Sequence, residues 1–445
     1  MRHAVALGLA DAMLAGPATV RSATSRCARV LGEKHAWIAA LAGAMIHGFG
    51  TTWHSGVRRE LALAILRSPH LDEAWLGGER PRLRSVPLRP PRMGPRPAQL
   101  QRCALPDLPT VGDIAAWLKL SSRELEWFAG RRGARSGPDD ERLRHYSYHW
   151  IEKRSGGHRL LEVPKSRLKQ LQQRLLHELI EYVPPHECAH GFRPRHSCLT
   201  NAVPHVGQSI VVKFDLEDFF LSVGGGRVVA LFRTLGYPER AAQTLAGLCT
   251  NRVPARVLTV RDPARYDWEL PQVGWREVKR FQSPHLPQGA PTSPALANLC
   301  AFRFDLRLQA LAESFGGRYT RYADDLTISG SGRLARAAER LEAQVGAIAI
   351  EEGFRINHRK TRIMRSSTRQ MVTGVVVNEK LNMKRGEFER LKATLHNCAT
   401  KGTQQQNRIG AASLRAHLAG RIAQLAALHP GRGHRLKLVF DRIAW

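Results

Sequence analysis

The stretch "RYADDLTISG", residues 321–330, places two aspartates side by side within a sequence that otherwise has strand character. Leu326 and Ile328 alternate with polar residues after the aspartates, which is the period-2 pattern of a half-buried strand. Neighbouring side chains of a continuous strand point to opposite faces, so Asp324 and Asp325 converge only if a tight turn separates two strands. Two carboxylates held close together repel each other unless a cation lies between them. The alternative is a polar turn that only joins two strands.

A second acidic motif, "SIVVKFDLEDFF", occupies residues 209–220. The apolar residues 210–214 predict a core strand, and Asp215 follows at its end. A carboxylate in that place is exposed while the sheet fixes its position. We therefore expect Asp215 to be available as a ligand.

A third motif, "LPQGAPTSPALANL", occupies residues 286–299 and predicts a turn followed by a helix. Ser293 suits the N-cap of this helix and Pro294 its first position. Gln288 precedes the turn, with its amide free to hydrogen-bond a ligand. The helix is expected to bury one face, which is marked by Leu299, Phe302, Leu306 and Ala310.

Three carboxylates, those of Asp215, Asp324 and Asp325, can meet where the strand end faces the hairpin tip. Hard oxygen ligands suit Mg²⁺, which keeps waters and shares substrate phosphates. Two such ions roughly 4 Å apart can activate an attacking hydroxyl and stabilise a leaving pyrophosphate. The pattern therefore predicts a site for two Mg²⁺ ions that serves phosphoryl-transfer chemistry.

The composition indicates a polyanionic partner. The 445 residues include 68 Lys and Arg against 38 Asp and Glu, a formal net charge of +30. Such an excess favours nucleic acid as the partner, the alternative being a soluble protein from an arginine-rich proteome. No apolar run approaches the length of a membrane span, so no membrane association is expected.

Cysteine usage favours a reducing compartment. The seven cysteines are scattered without a C-x-x-C pair, which is typical of free thiols in a cytoplasmic protein. The His- and Cys-containing stretch "HECAHGFRPRHSC", residues 186–198, does not match the usual zinc-finger spacings.

At these motifs the sequence resembles the reverse transcriptases, and more narrowly the bacterial retron group in its longer-extension branch. "RYADD" matches the family's Y-x-D-D box, "FDLEDFF" its first aspartate box and "LPQGAPTSPALANL" its template-side box. Upstream, "GGHRLLEVPKSRLKQLQQRLL" and "AHGFRPRHSCLTNA" resemble the first two finger motifs. Downstream, "GFRINHRKTRIM" resembles the lysine motif, and "VTGVVVN" the segment that enters the thumb. The resemblance covers about residues 107–445, although the N-A-x-x-H element of many retron enzymes is absent from about residues 250–285.

The resemblance implies an α+β fold, a right-hand polymerase with fingers, a palm built on an antiparallel sheet with helices, and a helical thumb. Residues 1–79 lack strand alternation and predict a helical N-terminal extension, and the six Pro and six Arg of residues 80–97 predict an extended basic linker that is not packed. We therefore assign an Arg/Pro-rich linker to 80–106. The resemblance implies a small helical unit with the fingers at 107–204, the palm at 205–371 and an RNA-binding thumb at 372–445. In the small helical unit, Ser121 or Ser122 suits the N-cap of the second helix.

The resemblance also implies roles for individual residues. Asp215 and Asp324 are metal ligands, and the carbonyl of Leu216 is a further metal contact. Asp325, the second carboxylate of the pair, either binds one metal or shapes the site. Phe220 occupies the position of the steric gate against ribonucleotides, although a core aromatic is the alternative. The remaining nucleotide contacts are Arg159, Lys165, Arg193, Gln288 and Lys360. RNA contacts are expected from Val372, Thr373, Gly374 and Asn378, and from Arg408, Arg415, Arg421, Arg432, Arg435 and Lys437 in the basic tail.

The implied activity is RNA-directed DNA synthesis. The enzyme would copy its own structured non-coding RNA, which serves as template and primer, from deoxynucleoside triphosphates, giving a single-stranded DNA product that stays linked to the RNA. Defence against phage, with a toxin or effector protein as a further partner, is implied by the resemblance alone. Two alternatives remain open: another bacterial reverse transcriptase, of the defence-associated or group II intron type, and a catalytically idle RNA-binding scaffold.

Overall fold

The computed structural model describes residues 1–15, 18–50, 57–85, 91–130, 141–153, 158–259, 275–407 and 410–445. The chain divides into two compact units, Met1–Arg92 and Met93–Trp445. Each unit has its own buried apolar core.

The first unit is helical. Its helices are α1 (Arg2–Leu14), α2 (Val20–Leu31), α3 (Trp37–Phe49), α4 (Arg58–Leu66) and α5 (Pro69–Leu76). They enclose a core that includes Leu9, Met13, Ile38, Leu41 and Ile65, all 0% exposed.

The Arg/Pro-rich segment packs at both of its ends, which corrects the expectation of an unpacked linker. Leu83 lies against the core of the first unit, and the N–H of Arg84 donates to the carbonyl of Val30 at 2.8 Å. Met93 packs against the core of the second unit. The apolar side chains among the arginines provide these contacts; residues 86–90 lie outside the described residues.

The second unit begins with α6 (Val111–Leu118) and α7 (Ser122–Phe128), then a hairpin of β1 (Tyr146–Glu152) and β2 (His158–Pro164), then α8 (Ser166–Glu178) and α9 (Cys198–Ala202). The predicted cap of α7 is confirmed at Ser121, whose hydroxyl accepts a hydrogen bond from the N–H of Glu124 at 3.2 Å. The Glu124 carboxylate accepts from the Ser121 N–H in return, which completes a capping box.

An antiparallel sheet forms the centre of this unit, with strand order β4-β5-β3-β6. Its strands are β3 (Ile210–Asp215), β4 (Gly317–Tyr322), β5 (Asp325–Gly330) and β6 (Arg362–Arg365). The helices around it are α10 (Gly225–Thr234), α11 (Glu239–Cys249), α12 (Ala255–Thr259), α13 (Trp275–Phe281), α14 (Ser293–Cys300), α15 (Phe302–Ser314), α16 (Arg333–Arg336) and α17 (Ala338–Glu351). The mixed helical and antiparallel architecture agrees with the α+β prediction, and the predicted hairpin at Asp324 is the β4–β5 connection.

Strand β5 is covered on both faces, whereas its alternating pattern predicts a half-buried strand. Thr327 and Ser329, on the face expected to be solvated, are 0% exposed. The ring of His205 covers this face, with Nδ1 2.6 Å from Ser329 Oγ and Nε2 2.8 Å from Thr320 Oγ1. Ser329 and Thr320 are polar because a buried imidazole needs hydrogen-bond partners, not because water is present.

The face predicted for the helix after the third motif is also wrong. The helix is interrupted at Ala301, so that α14 and α15 are separate. Phe302 and Leu306 are 44% and 53% exposed, while Phe304 and Leu308 are buried. The predicted face assumed one continuous helix, and the interruption at Ala301 removes that assumption.

Ser293 is not the N-cap of α14. The N-cap is Thr292, and the Ser293 hydroxyl donates to the carbonyl of Pro287 at 2.7 Å. Ser293 is itself the first residue of the helix, one position past the N-cap, and its hydroxyl bonds back to the preceding turn. The pattern of Ser followed by Pro therefore predicted the start of the helix to within one residue but not its hydrogen bonds.

The chain ends in a short hairpin, β7 (Met371–Val372) and β8 (Val375–Val376), and in α18 (Arg385–Lys401), α19 (Leu414–Leu428) and α20 (Pro430–Asp441). These helices share a core that includes Leu391, Leu395, Ile422, Leu425 and Phe440. Within the residues that the structure describes, no helix is both long and apolar enough to cross a membrane.

We expect His205 to make stability depend on pH. Burial, followed by the charges of His190 and Arg318, lowers the pKa of His205 from 6.5 to about 3. The unfolded chain takes up this proton at a higher pH, so stability is present above about pH 6.5 and is lost as pH falls towards 3. The loss at the low end is on the order of 4 kcal/mol. Chemical denaturation at several pH values should show a shallower acid loss for His205→Gln, and equal slopes in both proteins would contradict this assignment.

Candidate active site

The tandem aspartates lie at a two-residue hairpin turn. β4 ends at Tyr322 and β5 begins at Asp325, leaving Ala323 and Asp324 as the connection. Ala323 has φ of 57°, a left-handed conformation that is unusual for a residue with a side chain. Asp215, at the end of β3, pairs directly with Asp325 across the sheet. The fold therefore brings the predicted carboxylates together.

Two of the three carboxylates, those of Asp215 and Asp325, are each paired with a lysine. Both carboxylate oxygens of Asp215 accept from Lys360 Nζ, at 2.9 and 3.1 Å. Asp325 Oδ2 lies 3.5 Å from Lys213 Nζ. Lys213 was not predicted, although it lies two residues before Asp215 on the same strand and hence on the same face.

The surroundings of Asp324 disfavour the charged form of its carboxyl group. Burial raises the pKa of its carboxyl group, and the charge of Asp215 raises it further, with a smaller contribution from Asp325. A cation beside Asp324 and Asp215 would relieve this repulsion.

The donor set fits a hard divalent cation that keeps part of its hydration. Among the described residues, no three His, Cys, Asp or Glu side chains are arranged to hold a metal ion by themselves. Mg²⁺ typically takes one or two protein carboxylates and completes its shell with waters and substrate phosphates. Asp215 and Asp324 are a pair of this kind, because both border an open cavity.

That cavity has a volume of about 1000 Å³. Of the predicted site residues, those that line it are Arg159, Asp215, Leu216, Phe220, Gln288, Asp324 and Lys360. The volume lies at the upper end of the range for small-ligand pockets and is large enough for a nucleotide.

Phe220 both lines the cavity and packs against the core. Its ring centroid lies 6.1 Å from that of Phe192 and 5.6 Å from that of Phe219. Phe192, which also lines the cavity, was not singled out by the sequence. The gate and core interpretations of Phe220 are therefore compatible.

Lys165 and Arg193 are not among the residues that line the cavity. Lys165 is the N-cap of α8, and its ammonium group donates to the carbonyl of Arg142 at 3.2 Å. Arg193 donates to the carbonyls of His186 and Glu187. Arg159 borders the cavity, whereas these two residues do not.

The segment predicted to contact RNA is largely committed to internal bonds. Val372 is 0% exposed, and the hydroxyl of Thr373 donates to the carbonyl of Cys198 at 2.9 Å. The Asn378 amide accepts from the N–H of Gln370 and donates to the carbonyls of Ser366 and Thr368. Gly374, with φ of 84°, is exposed at the tip of the β7–β8 hairpin. Residues 373–374 form the tight turn of this hairpin, and Val372, Thr373 and Asn378 all make contacts within the chain.

Arg321, the first residue of the stretch 321–330, is fully buried next to the hairpin turn. Its guanidinium donates to both carboxylate oxygens of Asp305, at 2.7 and 2.6 Å. It also donates to Asn298 Oδ1 at 2.8 Å and to the carbonyl of Ala323 at 3.2 Å. A bidentate charge-assisted pair has a fixed geometry. Arg321 therefore anchors the turn that carries Asp324.

The backbone of Arg321 is anchored as well. Its N–H donates to the carbonyl of Cys188 at 2.8 Å, and its carbonyl accepts from the N–H of His190 at 2.7 Å. The next residue of that segment, Gly191, lies against the turn, because a Cβ there would be 2.6 Å from the backbone nitrogen of Ala323. The turn is thus held from both sides.

Comparison with known proteins agrees with this geometry. Residues 151–385 match the family model described as reverse transcriptase (RNA-dependent DNA polymerase). The chain is 42% identical to the retron Mx65 reverse transcriptase of Myxococcus xanthus, over 77% of this chain and 74% of that protein. It is 36% identical to the retron Mx162 reverse transcriptase of the same organism, over 66% and 59% of the two chains. It is 31% identical to the retron Ec86 reverse transcriptase of Escherichia coli, over 56% and 69%.

Among solved structures, apo telomerase from Candida tropicalis aligns with 67% of this chain and 60% of its own, at a TM-score of 0.36 and 10% identity. That likeness is too weak to establish a shared fold. The family match and the relatives define an RNA-directed DNA polymerase. The chain belongs to the reverse transcriptase family, and within it to the retron type.

We expect Gly191→Ala to impair catalysis by displacing the hairpin turn. The new methyl group would meet backbone atoms, which cannot move aside as a flexible side chain can. Overpacking of this kind costs about 1–3 kcal/mol, and the displaced turn should lower kcat for primer extension by roughly tenfold or more. Gly346→Ala is the matched control, because Gly346 in α17 has open space around it. Wild-type kcat in Gly191→Ala would show that the close approach does not position the site.

Proposed function

We propose that this reverse transcriptase copies a cognate structured non-coding RNA into single-stranded DNA that stays linked to the RNA, and that this product serves in anti-phage defence. The observation that carries the catalytic part is the pair formed by Asp215 and Asp324 at the edge of a cavity lined by Arg159 and Lys360. The similarity to enzymes named for retrons supports the RNA-linked product.

Asp215, Asp324 and the carbonyl of Leu216 are the groups that would hold the metal ions. Two Mg²⁺ ions bound there supply the Lewis acidity that activates an attacking hydroxyl and stabilises the leaving pyrophosphate. Arg159 and Lys360 offer charge-assisted hydrogen bonds to the phosphates of the incoming nucleotide. The Lys360 side chain is 51% exposed and flexible, so it can exchange its bond to Asp215 for one to a phosphate.

Recognition of the RNA is assigned to the basic C-terminal helices. Arg415, Arg432, Arg435 and Lys437 are exposed there, and Arg408 lies outside the described residues. Part of this charge is balanced, since Lys437 pairs with Asp441 and Arg421 with Glu387. Double-stranded RNA is recognised mainly by shape and by phosphate and 2′-hydroxyl contacts, so a structured stem-loop fits this surface.

Asp215→Asn and Asp324→Asn should each abolish DNA synthesis and leave RNA binding largely intact. An amide is a much weaker Mg²⁺ ligand than a carboxylate, so a loss of roughly a thousandfold or more in extension rate is expected. Primer extension and RNA binding would be measured side by side, with Asp107→Asn, an exposed carboxylate outside the cavity, as the control.

Sequencing the nucleic acid that co-purifies with the protein tests the product. The wild type should carry one RNA joined to DNA, and Asp324→Asn the same RNA without DNA. Near-normal extension by either Asn variant would refute the metal assignment, and wild-type protein bound to unrelated RNAs would refute the cognate template.

Phe220→Val should admit ribonucleotides. Removing the ring opens space where a 2′-hydroxyl would lie, so the preference for deoxynucleotides should fall by roughly tenfold or more. Steady-state kinetics with both nucleotide classes measure the change, and Phe302→Val, a half-exposed aromatic outside the cavity, is the control. Unchanged selectivity in an active Phe220→Val enzyme would assign Phe220 to the core alone.

Exchanging residues 372–445 for those of a retron enzyme with a different RNA should change which RNA is bound and copied. Phosphate contacts from the exchanged helices should also change the salt dependence of the affinity. Binding and extension would be measured with both RNAs at several salt concentrations. A chimera that keeps the original preference would move recognition to another part of the chain, such as residues 80–106.

A further inference from the structure

A buried ion pair lies beside the cavity. Glu162 on β2 and His285 are each 1% exposed, with His285 Nε2 2.8 Å from Glu162 Oε1. The other oxygen of Glu162 accepts from Asn251 Nδ2 at 2.7 Å, and Nδ1 of His285 lies 2.8 Å from the carbonyl of Ser283. Burial by itself lowers the pKa of His285, but the hydrogen bond and the charge of Glu162 raise it above its usual value. Both ring nitrogens of His285 face acceptor oxygens, an arrangement that suits the protonated imidazole, and both carboxylate oxygens of Glu162 have partners.

Backbone hydrogen bonds join the chain segments that carry this pair. Asn251 and His285 exchange N–H to carbonyl bonds of 3.0 and 3.1 Å, and the N–H of Glu162 donates to the carbonyl of Gln288 at 2.9 Å. Gly289, with φ of 133°, approaches so closely that a Cβ would lie 2.8 Å from the Glu162 carbonyl oxygen. Strand β2 and residues 285–289 are thus held as one body.

Two cavity residues extend from these joined segments. Arg159 lies three residues before Glu162 on β2, and Gln288 lies three residues after His285. Both line the cavity, and Glu162 borders it as well. The relative position of Arg159 and Gln288 therefore follows from how β2 is attached to residues 285–289.

We propose that the Glu162–His285 pair sets the spacing between Arg159 and Gln288 and so positions the incoming deoxynucleoside triphosphate. Both members are positioning residues, since neither is proposed to touch the reacting atoms. The inference deepens the proposed function and rests on the nucleotide occupying this cavity.

Stability alone gives no reason for a buried ion pair in this place. Replacing such a pair by apolar residues of similar size is often neutral or stabilising, because desolvation offsets the attraction. Directional hydrogen bonds, in contrast, fix the relative placement of two segments, and supporting contacts of this kind determine how tightly a site is held. The Glu162–His285 pair therefore serves to fix the position of β2 relative to residues 285–289 rather than to stabilise the fold.

Glu162→Gln tests the proposal in the full-length enzyme. The amide is nearly isosteric but removes the charge, so the attachment of β2 loosens and the spacing between Arg159 and Gln288 changes, while both of these side chains keep their chemistry. We expect KM for deoxynucleotides to rise by roughly tenfold, with kcat within about threefold of the wild type and RNA affinity unchanged. If this variant does not fold, the double variant Glu162→Gln with His285→Gln leaves no unpaired buried charge and should show the same change in KM.

Gln172→Met is the control for a general loss of stability. Gln172 is 0% exposed and bonds to the hydroxyl of Tyr146 and the carbonyl of Leu248, away from the residues that line the cavity. It should lower the melting temperature and leave KM unchanged. Unchanged KM in Glu162→Gln, or a fall in kcat without a rise in KM, would overturn the proposal.

Arg159→Ala distinguishes a failure of the nucleotide assignment of the cavity from a failure of the role proposed for the ion pair. It removes the phosphate contact itself and should raise KM at least as much as Glu162→Gln. If Arg159→Ala leaves KM unchanged, the nucleotide assignment of the cavity fails; if it raises KM while Glu162→Gln does not, only the role of the ion pair fails.

Discussion

The ion pair between Arg321 and Asp305 is the interaction on which the active site depends. Both side chains are completely buried, and their two hydrogen bonds are 2.6 and 2.7 Å long. Two charges can be buried at acceptable cost only when their geometry and remaining hydrogen bonds are complete. Asn298, Tyr319 and the carbonyl of Ala323 complete them here. Losing one partner would leave a buried charge uncompensated, at about 3–5 kcal/mol.

This constraint explains how the turn holds an unfavourable arrangement. Ala323 has a left-handed backbone, and Asp324 lies close enough to Asp215 for their charges to repel. Strain of both kinds persists only where the surrounding structure over-determines the conformation. Arg321 fixes the turn from below and Gly191 lies against its backbone. The stability of the core thus holds two carboxylates together despite their mutual repulsion.

The sequence predicts the parts of this site that follow from local patterns. The hairpin at Asp324 and the strand end at Asp215 follow from period-2 alternation and from turn chemistry. The sequence does not predict what covers a strand, because that depends on chain far away: His205 reaches Thr320 and Ser329, so polar residues that read as exposed are buried. Lys213 could have been identified, since it shares a face with Asp215.

Other differences arise where a motif matches in residue types and spacing but its side chains make contacts elsewhere in the folded chain. Asn378 and Thr373 match a segment expected to bind RNA, yet their side chains bond to distant carbonyls of the same chain. The ammonium group of Lys165 likewise donates a hydrogen bond to the carbonyl of Arg142. A short motif gives residue types and spacing, whereas the hydrogen-bond partner of each side chain is decided by the folded chain.

We propose that Asp215 and Asp324 form the metal site and that the buried Arg321–Asp305 pair holds Asp324 in place. Crystals of the enzyme grown with Mn²⁺ in place of Mg²⁺, together with primer, template and a non-hydrolysable nucleotide, test it through the anomalous scattering of the ion. We expect anomalous density between these two carboxylates and the nucleotide phosphates, with Asp325 still paired to Lys213. Density at Asp325 with Asp215 still bound to Lys360, or no density in the cavity, would contradict it.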